Sequence, residues 1–193
     1  MTRSACLSLG SLLFAATTAS AQFIPAGQKV GLVAFMQAGY AGLKMNLTQA
    51  AEKMPEADYA SKPSSMAEVR TYGQIFGHVA DAQFFQCSTA RGVPNPNEGK
   101  SVEREAKTKA EIVKGLADSF AFCDPAFSSL TDASAMELVK QGQGEIARSA
   151  VLVGVLAHGG EMYGISTVYL RAKNLVPPST EMMQQMRGRR GGQ

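Results

Sequence analysis

The chain has 193 residues, 45% hydrophobic and 18% charged, which suits one domain with its own core and excludes a disordered polypeptide. Its three cysteines include no C-x-x-C pair, which excludes zinc ribbons and thioredoxin-like redox motifs. The formal charge of +3 drops to −1 over residues 22–186 once Arg3, Arg187, Arg189 and Arg190 are set aside, and no cluster of Lys and Arg sits among aromatic platforms, so nucleic acid is not an expected partner.

Residues 1–21 read as a cleavable secretory signal. Arg3 precedes an apolar run from Ala5 to Ala16, and Ala19-Ser20-Ala21 offers small residues where a signal peptidase cuts, after Ala21. Roughly a dozen apolar residues are too few to span a hydrocarbon core, which takes ~20. The expected location is therefore the periplasm or the exterior, with no membrane span after cleavage. Cys6 stands too early to be a lipoprotein cysteine.

The first helix is predicted from Val33 onward. Val33, Met36, Tyr40, Leu43, Leu47, Ala50 and Met54 recur in alternating steps of three and four, the period of one buried helix face, and Pro55 ends it. Lys62-Pro63-Ser64-Ser65 punctuates a loop before a second helix from about Met66 to Ala90. A long connection follows, and its run Gly92-Val93-Pro94-Asn95-Pro96-Asn97-Glu98-Gly99 cannot be helical. Thr108 and Glu111 form a capping box that opens a third helix, which turns Ile112, Leu116, Phe120, Cys123 and Phe127 inward and should kink at Pro125.

Leu130 to Glu145 reads as a looser segment broken by Gln141-Gly142-Gln143-Gly144. The fourth helix carries Val151, Val155, His158, Met162, Ile165, Tyr169, Ala172 and Val176 as one stripe and stops before Pro177-Pro178. No stretch alternates long enough to predict a strand. The expected fold is all-α, a four-helix bundle over residues 22–180 with a flexible basic tail at 181–193.

Two histidines are the residues most able to carry chemistry. His158 lies in an apolar stripe, where a neutral imidazole needs a hydrogen-bond partner or a metal, since a buried unpaired polar group costs roughly 1–3 kcal/mol. A serine, tyrosine or backbone carbonyl would serve as well as a metal. His78 sits midway along the second helix. Each has a carboxylate three residues on, Asp81 and Glu161, and facing histidine–carboxylate pairs are one way bundles build metal sites. Tyr163, Tyr169 and Arg171 stand near enough in sequence to join such a site, or to serve packing and the helix dipole.

The stretch Tyr72-Gly73-Gln74-Ile75-Phe76-Gly77-His78-Val79-Ala80-Asp81-Ala82-Gln83 resembles the second helix of the DinB-like four-helix-bundle proteins. His158-Gly159-Gly160-Glu161-Met162-Tyr163-Gly164, with Tyr169-Leu170-Arg171 and Val176-Pro177-Pro178-Ser179 after it, resembles the fourth. The resemblance runs through nearly all of residues 28–180. It implies parallel second and third helices joined by the long crossover. It also implies a three-histidine site for a divalent metal, in a family whose better-known members are thiol-dependent transferases and isomerases.

His78 and His158 fall on two of those ligand positions, and the third is Met162. A thioether is soft and neutral and adds little for Zn or Ni. The site is then lost, or completed by Asp81, Glu161 or water, or shifted toward Cu(I). Three functions follow: an exported protein with a degenerate or altered metal site, a metal-dependent hydrolase or thiol-dependent transferase using His78 and His158, or a non-catalytic bundle holding a small ligand. A homodimer is compatible with each. With Cys6 removed, Cys87 and Cys123 are the only cysteines of an exported chain, and parallel second and third helices would bring them to one end of the bundle, so a disulfide between them is expected.

Overall fold

A computed structural model describes residues 27–191. The signal peptide read at 1–21 and the last two residues of the tail lie outside them. The elements in order are α1 (Leu32–Lys53), a 3-10 turn (Glu56–Asp58), α2 (Tyr72–Arg91), α3 (Val102–Glu105), α4 (Lys109–Ser128), α5 (Asp132–Ala135), β1 (Leu138–Gln141), β2 (Gly144–Ala147), α6 (Arg148–Ala172) and α7 (Pro178–Gly191). The long helices α1, α2, α4 and α6 form the bundle, with α4 and α6 each packed between α1 and α2.

All seven residues of the first predicted stripe are buried, from Val33 to Met54. So are the five predicted to point inward from α4. The α4 capping box is present: Thr108 Oγ1 accepts from the Glu111 amide, and the Glu111 carboxylate accepts from the Thr108 amide. Pro125 lies inside α4 without ending it.

The second helix begins at Tyr72, six residues later than expected. A second capping box starts it there, with Thr71 Oγ1 accepting from the Gln74 amide and Gln74 Oε1 from the Thr71 amide. The preceding segment offers little to bury; Met66 is exposed. Gly92 closes the helix in the left-handed conformation, at φ +65.

Helices α2 and α4 run parallel. A Cβ on Gly73 would meet Ile112, Gln83 bonds Ser119, and Cys87 is joined to Cys123 by a disulfide, so sequence rises in step along both. The crossover between them is not wholly irregular, because Ser101 caps the single turn α3.

The segment expected to be loose and strandless after Leu130 holds a hairpin instead. β1 and β2 pair antiparallel with Gln141 opposite Gly144, and Gly142 at φ +61 takes the first central turn position, where glycine is favoured. The supposed breaker run is the turn. Four-residue strands are too short to show alternation.

On α6 the buried set is Ser149, Val151, Leu152, Val155, Gly159, Met162, Ser166, Tyr169 and Leu170. Ile165, Ala172 and Val176, expected inside, are exposed. The residues expected to form a tail are helical through Gly191 in α7, which Lys53 ties to α1 through an ion pair with Glu181. No helix among the described residues is long and apolar enough to cross a membrane.

Candidate functional site

α2 and α6 are adjacent and antiparallel, and this brings His78 and His158 together from 80 residues apart in sequence. Their rings stand 4.9 Å apart, centre to centre, nearly perpendicular at 79°. Both are half-buried, at 28% and 25% side-chain exposure, so the pair sits at the shoulder of the α2–α6 groove and not in the dry centre.

Nε2 of His158 is nonetheless buried and has no hydrogen-bond partner. Burial pushes the pKa of this imidazole down, the neighbouring His78 and Arg70 push the same way, and Glu161 opposes them. The neutral ring is favoured, and a neutral ring can offer a lone pair to a ligand.

Each imidazole has a carboxylate on its Nδ1 edge. Glu161 Oε2 stands 3.9 Å from Nδ1 of His158, beyond hydrogen-bond reach, and its side chain is 66% exposed. On the other ring, Glu103 Oε2 lies 3.1 Å from Nδ1 of His78. Glu103 comes from α3, in the crossover. Its Oε1 accepts from Arg70 Nε at 2.8 Å, and Arg70 Nη2 approaches the same His78 nitrogen to 3.2 Å. The hydroxyl of Tyr169 donates to the Arg70 carbonyl at 2.7 Å, which anchors the loop that presents this arginine.

Asp81, expected as a substitute metal ligand, is committed elsewhere. Its two oxygens accept from Asn97 Nδ2, Ser101 Oγ and the amides of Val102 and Glu103, at 2.7–3.2 Å. Four donors fill the lone-pair positions of one carboxylate, leaving none for a cation. Met162 is 6% exposed and belongs to the hydrophobic core one turn beyond His158. Tyr163 does not join the site, since its hydroxyl bonds Ser179 at the start of α7. Arg171 is likewise turned to Thr180.

The metal implied by the family resemblance can be tested against these groups. A closed divalent site needs three or four nitrogen, oxygen or thiolate donors. Among the described residues no group of three or more His, Cys, Asp or Glu side chains gathers to supply them. Two imidazoles, one with an orphaned buried nitrogen, fit part of a metal site; a complete three-histidine set does not exist here.

Glu103 and Arg70 were not found from sequence. Both lie in segments without periodicity, one before α2 and one in the crossover. No local pattern relates either to His78.

Residues 41–164 match the family model of the DinB superfamily. No curated protein matches the sequence. A DinB-like protein from Bacillus cereus ATCC 10987 shares the fold at a TM-score of 0.63, 16% identical, covering 75% of this chain and 94% of that one. A conserved protein from Enterococcus faecalis does so at 0.55, 12% identical, covering 74% and 97%. At these identities the likeness is one of fold.

Proposed function

Because the chain belongs to the DinB superfamily, we propose that it is an exported protein with an altered metal site. His78 and His158 are the retained ligands, and Met162 stands where the resemblance places a third histidine. The observation that carries this reading is the buried, unpartnered Nε2 of His158 beside a second imidazole. Left without a ligand, such a nitrogen costs roughly 1–3 kcal/mol.

The donor set bears on which metal would be held. Asp81 is occupied by the crossover, and Glu161 flanks the Nδ1 edge of His158, away from Nε2. The third donor is then a thioether or water. Two imidazoles and a thioether favour Cu(I) over Zn or Ni more than three imidazoles would. Glu103 supports the site from behind His78, as carboxylates do behind metal-bound histidines. A metal bound there would supply Lewis-acid or one-electron chemistry, according to its identity.

Anaerobic titration of the intact protein with Cu(I), Zn and Ni tests the reading. One equivalent of metal should bind, Cu(I) most strongly relative to a three-histidine site, and His158→Ala should abolish it. No binding of any of the three, or binding unchanged in His158→Ala, would overturn it.

A further inference from the structure

We propose that Asp81 and Gly77 make the crossover a positioning device, seating Glu103 against Nδ1 of His78 so that this histidine is held in the tautomer with Nε2 unprotonated. Three observations carry it. The first is the commitment of Asp81: all four of its hydrogen bonds go to residues 97–103, and one of them is the amide of Glu103 itself. The second is Gly77, one turn before Asp81 on the same face of α2. A Cβ there would lie 2.6 Å from the Cα of Glu103 and 2.8 Å from its nitrogen, so the α3 backbone rests directly on the helix. The third is Gly115 of α4, where a Cβ would come 2.5 Å from a methyl of Val102. α3 is thus pressed between α2 and α4 by two glycines and tethered by one aspartate.

The consequence falls on His78. A carboxylate paired with Arg70 is an acceptor only. Its contact with Nδ1 therefore requires the proton on Nδ1, and the neutral ring then keeps its lone pair on Nε2. Arg70 Nη2, at 3.2 Å, would impose the opposite tautomer by donating to Nδ1. The carboxylate contact prevails because the guanidinium already donates to Glu103 through Nε, and because an unprotonated Nδ1 would set its lone pair against the anionic Oε2 3.1 Å away. Asp81 is a positioning residue here. It acts on His78 only through the placement of Glu103.

The tautomer is independent of any metal. Its value for metal binding rests on the function proposed above.

Nitrogen-15 NMR of the metal-free intact protein reads the tautomer directly. His78 should be predominantly Nδ1–H in the wild type and shift toward Nε2–H in Glu103→Gln, whose single oxygen goes to Arg70 and whose amide N–H then faces Nδ1. It should become a mixture in Glu103→Ala and in Asp81→Asn, which cannot accept from all four donors. Ser101→Ala, which removes one bond of the seat, should shift the mixture partway and serves if Asp81→Asn does not fold. A wild-type Nε2–H tautomer would overturn the proposal. So would a tautomer unmoved in both Asp81→Asn and Ser101→Ala while Glu103→Ala changes it, since Glu103 would then need no seat. Zinc titration of Asp81→Asn should show affinity weakened about 10- to 100-fold. If the wild type binds no metal, the metal reading fails while the tautomer result still decides this one.

Discussion

Gly77 and Glu103 meet backbone to backbone, with no room for a single methyl group between α2 and the crossover. Neither partner can yield easily, because the contact is with main-chain atoms and not with the end of a flexible side chain. Gly77→Ala should therefore destabilise the protein by about 1–3 kcal/mol, the usual cost of overpacking. Gly164→Ala, on the exposed face of α6 with nothing within 4 Å of the added carbon, should stabilise it by roughly 0.5–1 kcal/mol. Urea unfolding of the two variants checks the opposite signs. Equal destabilisation would mean that the Gly77 contact is not specific.

The Cys87–Cys123 bond joins two helices with Cα atoms 5.3 Å apart and a sequence separation of 36. The chain-entropy estimate for a loop of that size is roughly 4 kcal/mol. Cys87→Ser with Cys123→Ser should lose about that much at most, with the larger relative loss of protection in the 92–107 connection that the bond closes. Hydrogen exchange and denaturant midpoints measure both. Thiol titration of the unfolded, unreduced protein should find neither cysteine free.

His158 makes stability depend on pH in a stated direction. Its folded pKa lies below the ordinary 6.5, chiefly through burial. Its contribution is then fully present above that value and is lost as the pH falls through the folded pKa, because the unfolded chain takes up the proton first. The denaturant midpoint should decline between about pH 7 and pH 5, and His158→Gln should flatten that part of the profile. A rise in stability on acidification would contradict the neutral state of this half-buried ring.

Met162→His puts an imidazole one turn from His158. Zinc affinity should tighten at least about tenfold, or ~1.4 kcal/mol. In the metal-free protein the same change should be destabilising, since it places a polar ring where a core side chain stood. Zinc should recover that loss in a thermal melt. Calorimetry showing equal affinity in the two proteins would mean that another group already fills the third position.

The helices were legible because burial of a helix face is a local, periodic demand. Val33 through Met54 repeat at helical spacing, and every one of them is buried. Thr108 and Glu111 are three residues apart and need only each other to cap α4. Ile165 shows where the same signal weakens: α6 is apolar on more than one side, so periodicity alone could not choose between Ile165 and the buried Ser166. The hairpin was missed because each four-residue strand holds only two repeats of a two-residue alternation, too few to stand out from a loop.

The site divides along the same line. Composition and position alone singled out His78 and His158, since they are the only histidines in the chain. The sequence likewise leaves Cys87 and Cys123 as the natural pair if Cys6 belongs to a cleaved signal. The partners of His78 were beyond its reach. Glu103 is 25 residues away in an aperiodic crossover, and Asp81, which looked like a ligand at i+3, is spent on holding that crossover in place. Such choices are made when loops settle on helices, where a missing Cβ at Gly77 and four hydrogen bonds to one carboxylate decide which charge meets which ring. Helical spacing records which faces must leave water; only the packed tertiary structure determines which polar group is delivered to the histidine.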